Sequence, residues 1–285
     1  MRTLSMRTLM TRTVSFAAML LAVVVAGRPA WTAEAPADGS EHSTEELAKK
    51  TQNPVADLIS VPFQSNFNFN TGPRDRMVYV LNVQPVIPIR LTEDWNLITR
   101  IITPIINQPS LAPGIDNASG LGDINPSFFL SPSKNEHFIW GVGPTFTFPT
   151  ASTRLLGAGK YSMGPTGVAL LMDGPWVVGA LANNQWSYAG WGEKKVNALL
   201  VQPFLNYNFK HGWYVTSAPI FTSDWTARAS QQWTAPVGGG LGKLWRVGKV
   251  GLPVNTQIQG FYNAIRPDFA SEWQLRVQVQ FLFPK

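Results

Sequence analysis

The sequence predicts an all-β protein, a single antiparallel transmembrane β-barrel of about 12 strands with a short N-terminal helix. Three observations predict this fold. Apolar and polar residues alternate with a period of two, short and long connections alternate, and prolines recur at the spacing of one strand plus one turn. Only 14% of residues are charged and 12% are aromatic. Past the first thirty or so residues, no apolar run approaches the roughly 18 to 20 residues of a membrane-spanning helix, so a helical membrane protein is excluded.

The beginning of the chain has the pattern of a signal peptide. Arg2, Arg7 and Arg12 form a basic segment before an apolar stretch at 14–26, which is short for a membrane span. We therefore predict a signal peptide over residues 1–35. Its removal takes away four Arg and one Glu, which lowers the formal net charge from +6 to about +3. The basic character that would favour a nucleic-acid partner is thus largely lost, and we expect none.

Residues 36–57 predict a helical leader in the periplasm. Ser43 and Glu46 provide a capping box, Lys49 and Lys50 suit the C-terminal end of a helix, and Pro54 ends it. Two roles are open for this segment. It is either a solvated leader, or a segment that enters the barrel or caps its periplasmic mouth.

Residues 58–285 predict the barrel itself. The final segment shows the pattern well, because Trp273, Leu275 and Val277 alternate with Gln274 and Arg276. Strands are predicted at 58–70, 76–90, 94–108, 119–131, 136–149, 161–172, 175–189, 195–210, 212–224, 232–246, 249–262 and 271–284.

The lengths of the predicted connections distinguish a membrane barrel from a soluble sandwich. Connections of one to four residues alternate strictly with longer ones, as periplasmic turns and extracellular loops do in outer-membrane barrels. Tryptophans favour the same assignment because indole prefers the membrane interface. Trp95, Trp140, Trp176, Trp213 and Trp245 fall near the short-turn ends, and Trp186, Trp191, Trp225, Trp233 and Trp273 near the long-loop ends. We therefore predict a bacterial outer-membrane location, with membrane lipids and, during biogenesis, the barrel-assembly machinery as partners.

A proline series follows the predicted strands. Its members are Pro85, Pro104, Pro126, Pro144, Pro165, Pro203, Pro219, Pro236 and Pro253. Proline cannot donate to a β ladder, so each is expected to mark a bulge or a gap in the pairing, or a place where a luminal side chain satisfies the backbone.

Several stretches resemble bacterial outer-membrane barrels related to the meta-pathway phenol-degradation transport proteins, some of which are mislabelled neuromedin U. They include 53–64, 84–89, 93–100, 120–123, 140–144, 174–176, 202–204 and 281–285, and the resemblance extends over nearly all of the chain after the signal peptide. It implies an outer-membrane location and a transport role, and it implies no catalytic or binding residue.

Catalytic and metal-binding constellations are not evident in the sequence. The histidines are His42 in the leader and His137 and His211 at short connections, far from the long-loop rim where a barrel enzyme would place its base. The chain has no cysteine and no cluster with metal-ligand spacing. We therefore expect no enzyme activity, no metal and no cofactor.

The polar face of the predicted strands is the candidate functional surface. The predicted pore-lining residues are Asn66, Asn68, Asn82, Gln84, Arg100, Asp123, Asn125, Gln185, Asn206, Gln257, Gln259, Arg276 and Gln278. A neutral, hydrogen-bonding wall favours passive passage of small polar or amphipathic solutes, aromatic ones included. Two alternatives are open. These residues could simply pack a narrow interior, with Arg100 and Asp123 as partners, or the protein could be a non-transporting structural or surface-binding barrel that acts through its loops.

Overall fold

The structure, a computed structural model, describes residues 41–134, 137–248 and 251–283. The predicted signal peptide and residues 36–40 lie outside this part of the chain. The described chain forms a closed antiparallel β-barrel of 12 strands, preceded by one helix, as predicted. The elements are α1 (Glu41–Thr51), β1 (Ile59–Thr71), β2 (Arg76–Val83), β3 (Val86–Arg90), β4 (Trp95–Gln108), β5 (Ala118–Leu121), β6 (Asn125–Pro132), β7 (Phe138–Thr147), β8 (Lys160–Asp173), β9 (Trp176–Gly190), β10 (Asn197–Asn208), β11 (Trp213–Ser217), β12 (Phe221–Asp224), β13 (Trp233–Val247), β14 (Leu252–Ile265) and β15 (Trp273–Phe283).

The fifteen strand segments form the twelve strands of the barrel, because three of the twelve are interrupted; we call each of the twelve a wall. β2 and β3 form one wall, β5 and β6 a second, and β11 and β12 a third. The barrel closes between its first and last strands, with β1 paired to β15 from Ile59 opposite Phe283 to Phe69 opposite Trp273. No sheet edge is left open along this seam, as a barrel in lipid requires.

Alternation along the strands separates an apolar exterior from the interior. Ile87, Leu130, Val142, Leu171 and Ile258 are each at least 39% exposed, although large apolar side chains are normally buried in a soluble domain. Because the barrel has an apolar outer face, these side chains face lipid. A closed barrel with an apolar exterior is the architecture of an outer-membrane protein. No helix among the described residues is long and apolar enough to cross a membrane.

The connections follow the predicted alternation with one exception. The first long connection, 72–75, has four residues, the same number as the short connection 91–94. We call the end of the barrel that carries 91–94, 174–175 and 209–212 the short-turn end, and the opposite end the long-loop end. Trp176 and Trp213 begin strands at the short-turn end, whereas Trp233 and Trp273 begin strands at the long-loop end.

The prolines of the series lie at or beside breaks in the ladder, as predicted. Pro85 and Pro219 lie in wall interruptions, Pro126 closely follows one, and Pro236 lies at a register shift. Pro104 and Pro203 are paired on one side of their strand and face a wall interruption on the other.

The remaining prolines also lie at gaps. Pro165 falls in a gap of the ladder between β8 and β9, Pro144 lies between the two residue pairs that join β7 to β6, and Pro253 directly precedes the first residue of β14 that pairs with β15. The proline carbonyl can still accept a hydrogen bond, as Pro104 O does from Gly122 N at 2.9 Å.

Candidate functional site

The leader lies across the short-turn end of the barrel. At its start, Thr44 Oγ1 accepts a hydrogen bond from Arg246 Nε on β13 at 3.2 Å. Further along, Gln52 Nε2 donates to Asn208 Oδ1 on β10 at 2.7 Å. Beyond the helix, a Val55 methyl lies so close to Gly141 on β7 that a β carbon there would come within 3.3 Å of it. β13 and β7 are separated by several walls on both sides, so the leader spans the mouth. Of the two open roles, the structure therefore favours the capping segment.

Apolar side chains hold the leader in this position. Val55 is 5% exposed and belongs to a buried cluster with Ile98, Phe129, Leu170 and Phe204, which come from four different strands. On the other side of the mouth, Ala48, Ala56 and Leu58 form a cluster with Leu244 and Leu282. Burial of apolar surface is worth roughly 25 cal/mol per Å². Two apolar clusters of the lumen wall at the short-turn end therefore form the seat of the leader.

A polar chamber of about 150 Å³ lies in the lumen against the leader. Its lining combines the leader with strands from most of the circumference. The lining residues are Lys50, Thr51, Gln52, Asn53, Pro54, Ala56, Leu58, Ser60, Pro62, Gln64, Gln84, Val86, Arg100, Gln202, Phe204, Asn206, Tyr214, Thr216, Ala218, Asn255, Gln257, Gln278 and Gln280. Ten of them carry side-chain amides, and the charged members are Lys50 and Arg100. The chamber therefore offers many hydrogen-bond donors and acceptors with a positive net charge.

Arg100 is positioned in the chamber by one of the wall interruptions. The gap between β2 and β3 places Gln84, whose backbone N–H donates to Pro62 O at 2.9 Å and whose side chain is only 4% exposed. Arg100 Nη2 donates to Gln84 Oε1 at 2.6 Å. Among the described residues this is the hydrogen bond that the guanidinium makes. A guanidinium carries five N–H donors, so four of those of Arg100 have no acceptor among the described residues.

Arg276 and Gln259 satisfy the backbone at a second interruption. Ala218 lies between β11 and β12, directly before Pro219, where the pairing of the strands is interrupted. Its N–H donates to Gln259 Oε1 at 3.1 Å, and its carbonyl accepts from Arg276 Nη1 at 2.8 Å. Arg276 also lies over the Phe261 ring, 4.8 Å from its centroid. Luminal side chains thus stabilise the break in the ladder, as expected for a proline in a barrel.

A hydrogen-bond network continues from Arg276 along β1 and β15. Arg276 Nε donates to Asn66 Oδ1 at 3.4 Å and Nη2 donates to Gln274 Oε1 at 3.2 Å. Gln274 Nε2 in turn donates to Asn68 Oδ1 at 3.0 Å. Asn82 lies opposite Gln64 in the register of β1 and β2. The structure therefore brings these predicted residues together on one side of the interior.

Three predicted residues lie apart from this group, toward the long-loop end. Asn125 Nδ2 donates to Thr147 Oγ1 at 3.0 Å, and Thr147 Oγ1 donates to Gln185 Oε1 at 2.7 Å. Asp123 accepts the backbone N–H groups of Ala151 at 3.1 Å and Ala158 at 2.7 Å. It fastens the loop at 148–159.

The suggested pairing of Arg100 with Asp123 is wrong. In the described chain, Arg100 binds Gln84, whereas Asp123 binds loop backbone. The physical reason is the interruption between β5 and β6. It turns the Asp123 carboxylate toward backbone N–H donors of the loop, which are strong partners for an anion.

The long-loop end holds a larger cavity of about 780 Å³. Lys194, Lys195, Asp224 and Gln231 are among the residues that line it, and Lys194 Nζ lies 3.4 Å from an Asp224 carboxylate oxygen. Most of its lining residues belong to the connections at this end, so it is a cavity among the long loops.

Several residues of the chamber escaped the sequence prediction. Gln52 and Asn53 belong to the leader, whose position across the mouth no strand pattern could reveal. Tyr214 is 1% exposed, and its hydroxyl donates to Asn255 Oδ1 at 2.8 Å. Tyr214 was missed because an aromatic residue in a barrel strand usually suggests the lipid face or a girdle. The apolar seat could have been recognised from the sequence, because Phe128, Phe129 and Leu130 are consecutive apolar residues, so this part of β6 has no polar face.

Known structures match this fold but only distantly in sequence. An outer-membrane channel of Pseudomonas putida F1 is 16% identical, with a TM-score of 0.60, over 79% of this chain and 94% of that one. A monoaromatic hydrocarbon channel is a looser match, 8% identical with a TM-score of 0.43 over 87% of this chain and 93% of that one. The Salmonella typhi outer-membrane phospholipase is 12% identical with a TM-score of 0.42 over 87% of this chain and 99% of that one.

 No protein-family model and no curated protein sequence matches the chain. At these identities the first match shows the barrel fold, and the looser two carry no argument about function.

The His, Asp and Glu residues of the described chain form no cluster typical of a metal site. His137 and His211 lie in connections at the short-turn end. Within residues 41–134, 137–248 and 251–283, no three His, Asp or Glu side chains lie close enough together to hold a metal ion.

Proposed function

We propose that the protein is an outer-membrane channel through which small polar or amphipathic solutes pass passively. One observation carries the proposal. The interior of a closed membrane barrel contains a chamber lined by ten side-chain amides, although a merely structural interior could be filled with apolar side chains. A wall of amides replaces part of the hydration shell of a passing solute. The predicted pore-lining residues Gln84, Arg100, Asn206, Gln257 and Gln278 all contribute to this chamber.

The leader fits this role as a movable constriction. It approaches the barrel wall through side-chain hydrogen bonds and two small apolar clusters, and it is not paired into the sheet. A segment held in this way can leave its seat without breaking any strand pairing. We also propose that the chain belongs with the outer-membrane barrels related to the meta-pathway phenol-degradation transport proteins, which its sequence resembles.

Solute entry into liposomes tests the proposed function. Vesicles that contain the purified protein are expected to swell in isosmotic solutions of small neutral solutes such as glycerol, and to swell more slowly as the solute becomes larger. Vesicles with heat-denatured protein provide the control. Equal, negligible swelling for both preparations with every solute would contradict a channel and would favour the structural or surface-binding barrel.

A further inference from the structure

The chamber has an unbalanced positive charge. Lys50 on α1 and Arg100 on β4 line it, and none of its described lining residues is Asp or Glu. Charged groups in a protein interior are normally paired or hydrogen-bonded because desolvation of an unpaired charge is costly. Among the described residues, Arg100 has a neutral amide as its hydrogen-bond acceptor. A negatively charged solute would supply the missing counter-charge.

The volume of the chamber limits the size of this solute. A cavity of about 150 Å³ is large enough for a single benzene ring. Pro62, Val86 and Phe204 provide apolar surface in the same wall that carries the amides. The chamber therefore combines a cation, amide groups and a small apolar face.

We infer that the chamber is a binding site for small organic carboxylates of about one ring, with Arg100 as the group that binds the carboxylate. A guanidinium pairs with a carboxylate through parallel N–H donors, and such charge-assisted bonds are stronger than those between neutral groups. The amides of the wall bind the rest of the solute. This inference rests on the proposed function, because it names the class of solute that the passage selects.

Equilibrium dialysis of the protein, with the leader and the barrel both present, in lipid nanodiscs tests the site. The probes are benzoate and benzamide, which have nearly the same shape but differ in charge. Wild-type protein is expected to bind benzoate about tenfold more tightly than benzamide, since hydrogen bonds to charged groups exceed those to neutral ones. Empty nanodiscs provide the background.

Variants assign the preference to the chamber. Arg100→Gln is expected to lose the preference for benzoate while its binding of benzamide is unchanged. The matched control is Arg90→Gln, because Arg90 is exposed at the end of β3 and does not line the chamber; it should bind like wild type. If Arg100→Gln does not fold, two other variants test the same point. Arg100→Lys keeps the positive charge and should retain the preference for benzoate. Lys50→Gln removes a positive charge from the lining and should weaken the preference, and the protein should still fold because Lys50 is exposed on the leader.

The outcomes separate the site from the channel. Equal affinity for the two probes, no binding of either, or an unchanged preference in Arg100→Gln and Lys50→Gln would overturn the inference. Dialysis requires no passage through the barrel. Selective benzoate binding without liposome swelling would therefore overturn the channel and leave the site, whereas swelling without selective binding would do the reverse.

Discussion

Val55→Asp is expected to raise the single-channel conductance of the protein several-fold. Val55 is 5% exposed and packs into the apolar cluster that seats the leader. An unpaired carboxylate buried there would cost several kcal/mol, on the order of 3 kcal/mol or more. The leader can avoid this cost by leaving the mouth, because it is not part of the sheet. Planar-bilayer recordings of the variant and wild type at the same voltage and salt measure the difference.

The control for this prediction is Val55→Leu, which keeps an apolar side chain at the same position. It is expected to conduct like wild type. If Val55→Asp and Val55→Leu have the same conductance as wild type while both fold into barrels, then the leader does not limit the passage.

Arg276→Met is expected to lower the free energy of unfolding by about 2 to 4 kcal/mol. The side chain is 2% exposed and donates to Ala218 O, Asn66 Oδ1 and Gln274 Oε1. Methionine has a similar length but no donor, so the Ala218 carbonyl at the interrupted wall would lose its partner. The midpoint of urea-induced unfolding in lipid vesicles reports the loss.

Arg266→Met is the matched control for Arg276. The Arg266 side chain is 32% exposed, and its guanidinium lies 3.7 Å from Glu272. Partly exposed ion pairs contribute at most about 1 kcal/mol. A destabilisation of Arg276→Met no larger than that of Arg266→Met would show that the luminal network does not support the interrupted wall.

The strands could be predicted because alternation is a local property of the sequence. β15, predicted at 271–284, is observed at Trp273–Phe283, and β4, predicted at 94–108, is observed at Trp95–Gln108. The alternation of apolar and polar residues and the tryptophans at the starts of strands both result from contact with the membrane outside the barrel. Each lipid-facing position can therefore be recognised from its own residue type.

The interior was harder to predict because its contacts join distant parts of the chain. The seat of Val55 involves residues of β4, β6, β8 and β10, which no local pattern connects. One alternative paired Arg100 with Asp123 because opposite charges attract, yet the interruptions at Gln84 and Asp123 direct both side chains to other partners. The prolines, in contrast, were a usable local signal, because they mark gaps in the ladder, as Pro104 does between the parts of β4 that pair with β5 and with β6.

The central claim is that the amide-rich face of the strands lines an accessible lumen, and thiol labelling tests it most directly. The chain has no cysteine, so a single introduced thiol reports one position. Gln257 lines the chamber, whereas Ile258, the next residue, is 50% exposed on the outer face. In protein embedded in lipid vesicles, Gln257→Cys is expected to react with a charged, water-soluble thiol reagent, and Ile258→Cys is expected to be protected by lipid. Equal labelling of the two positions, or labelling of Ile258→Cys alone, would contradict the account.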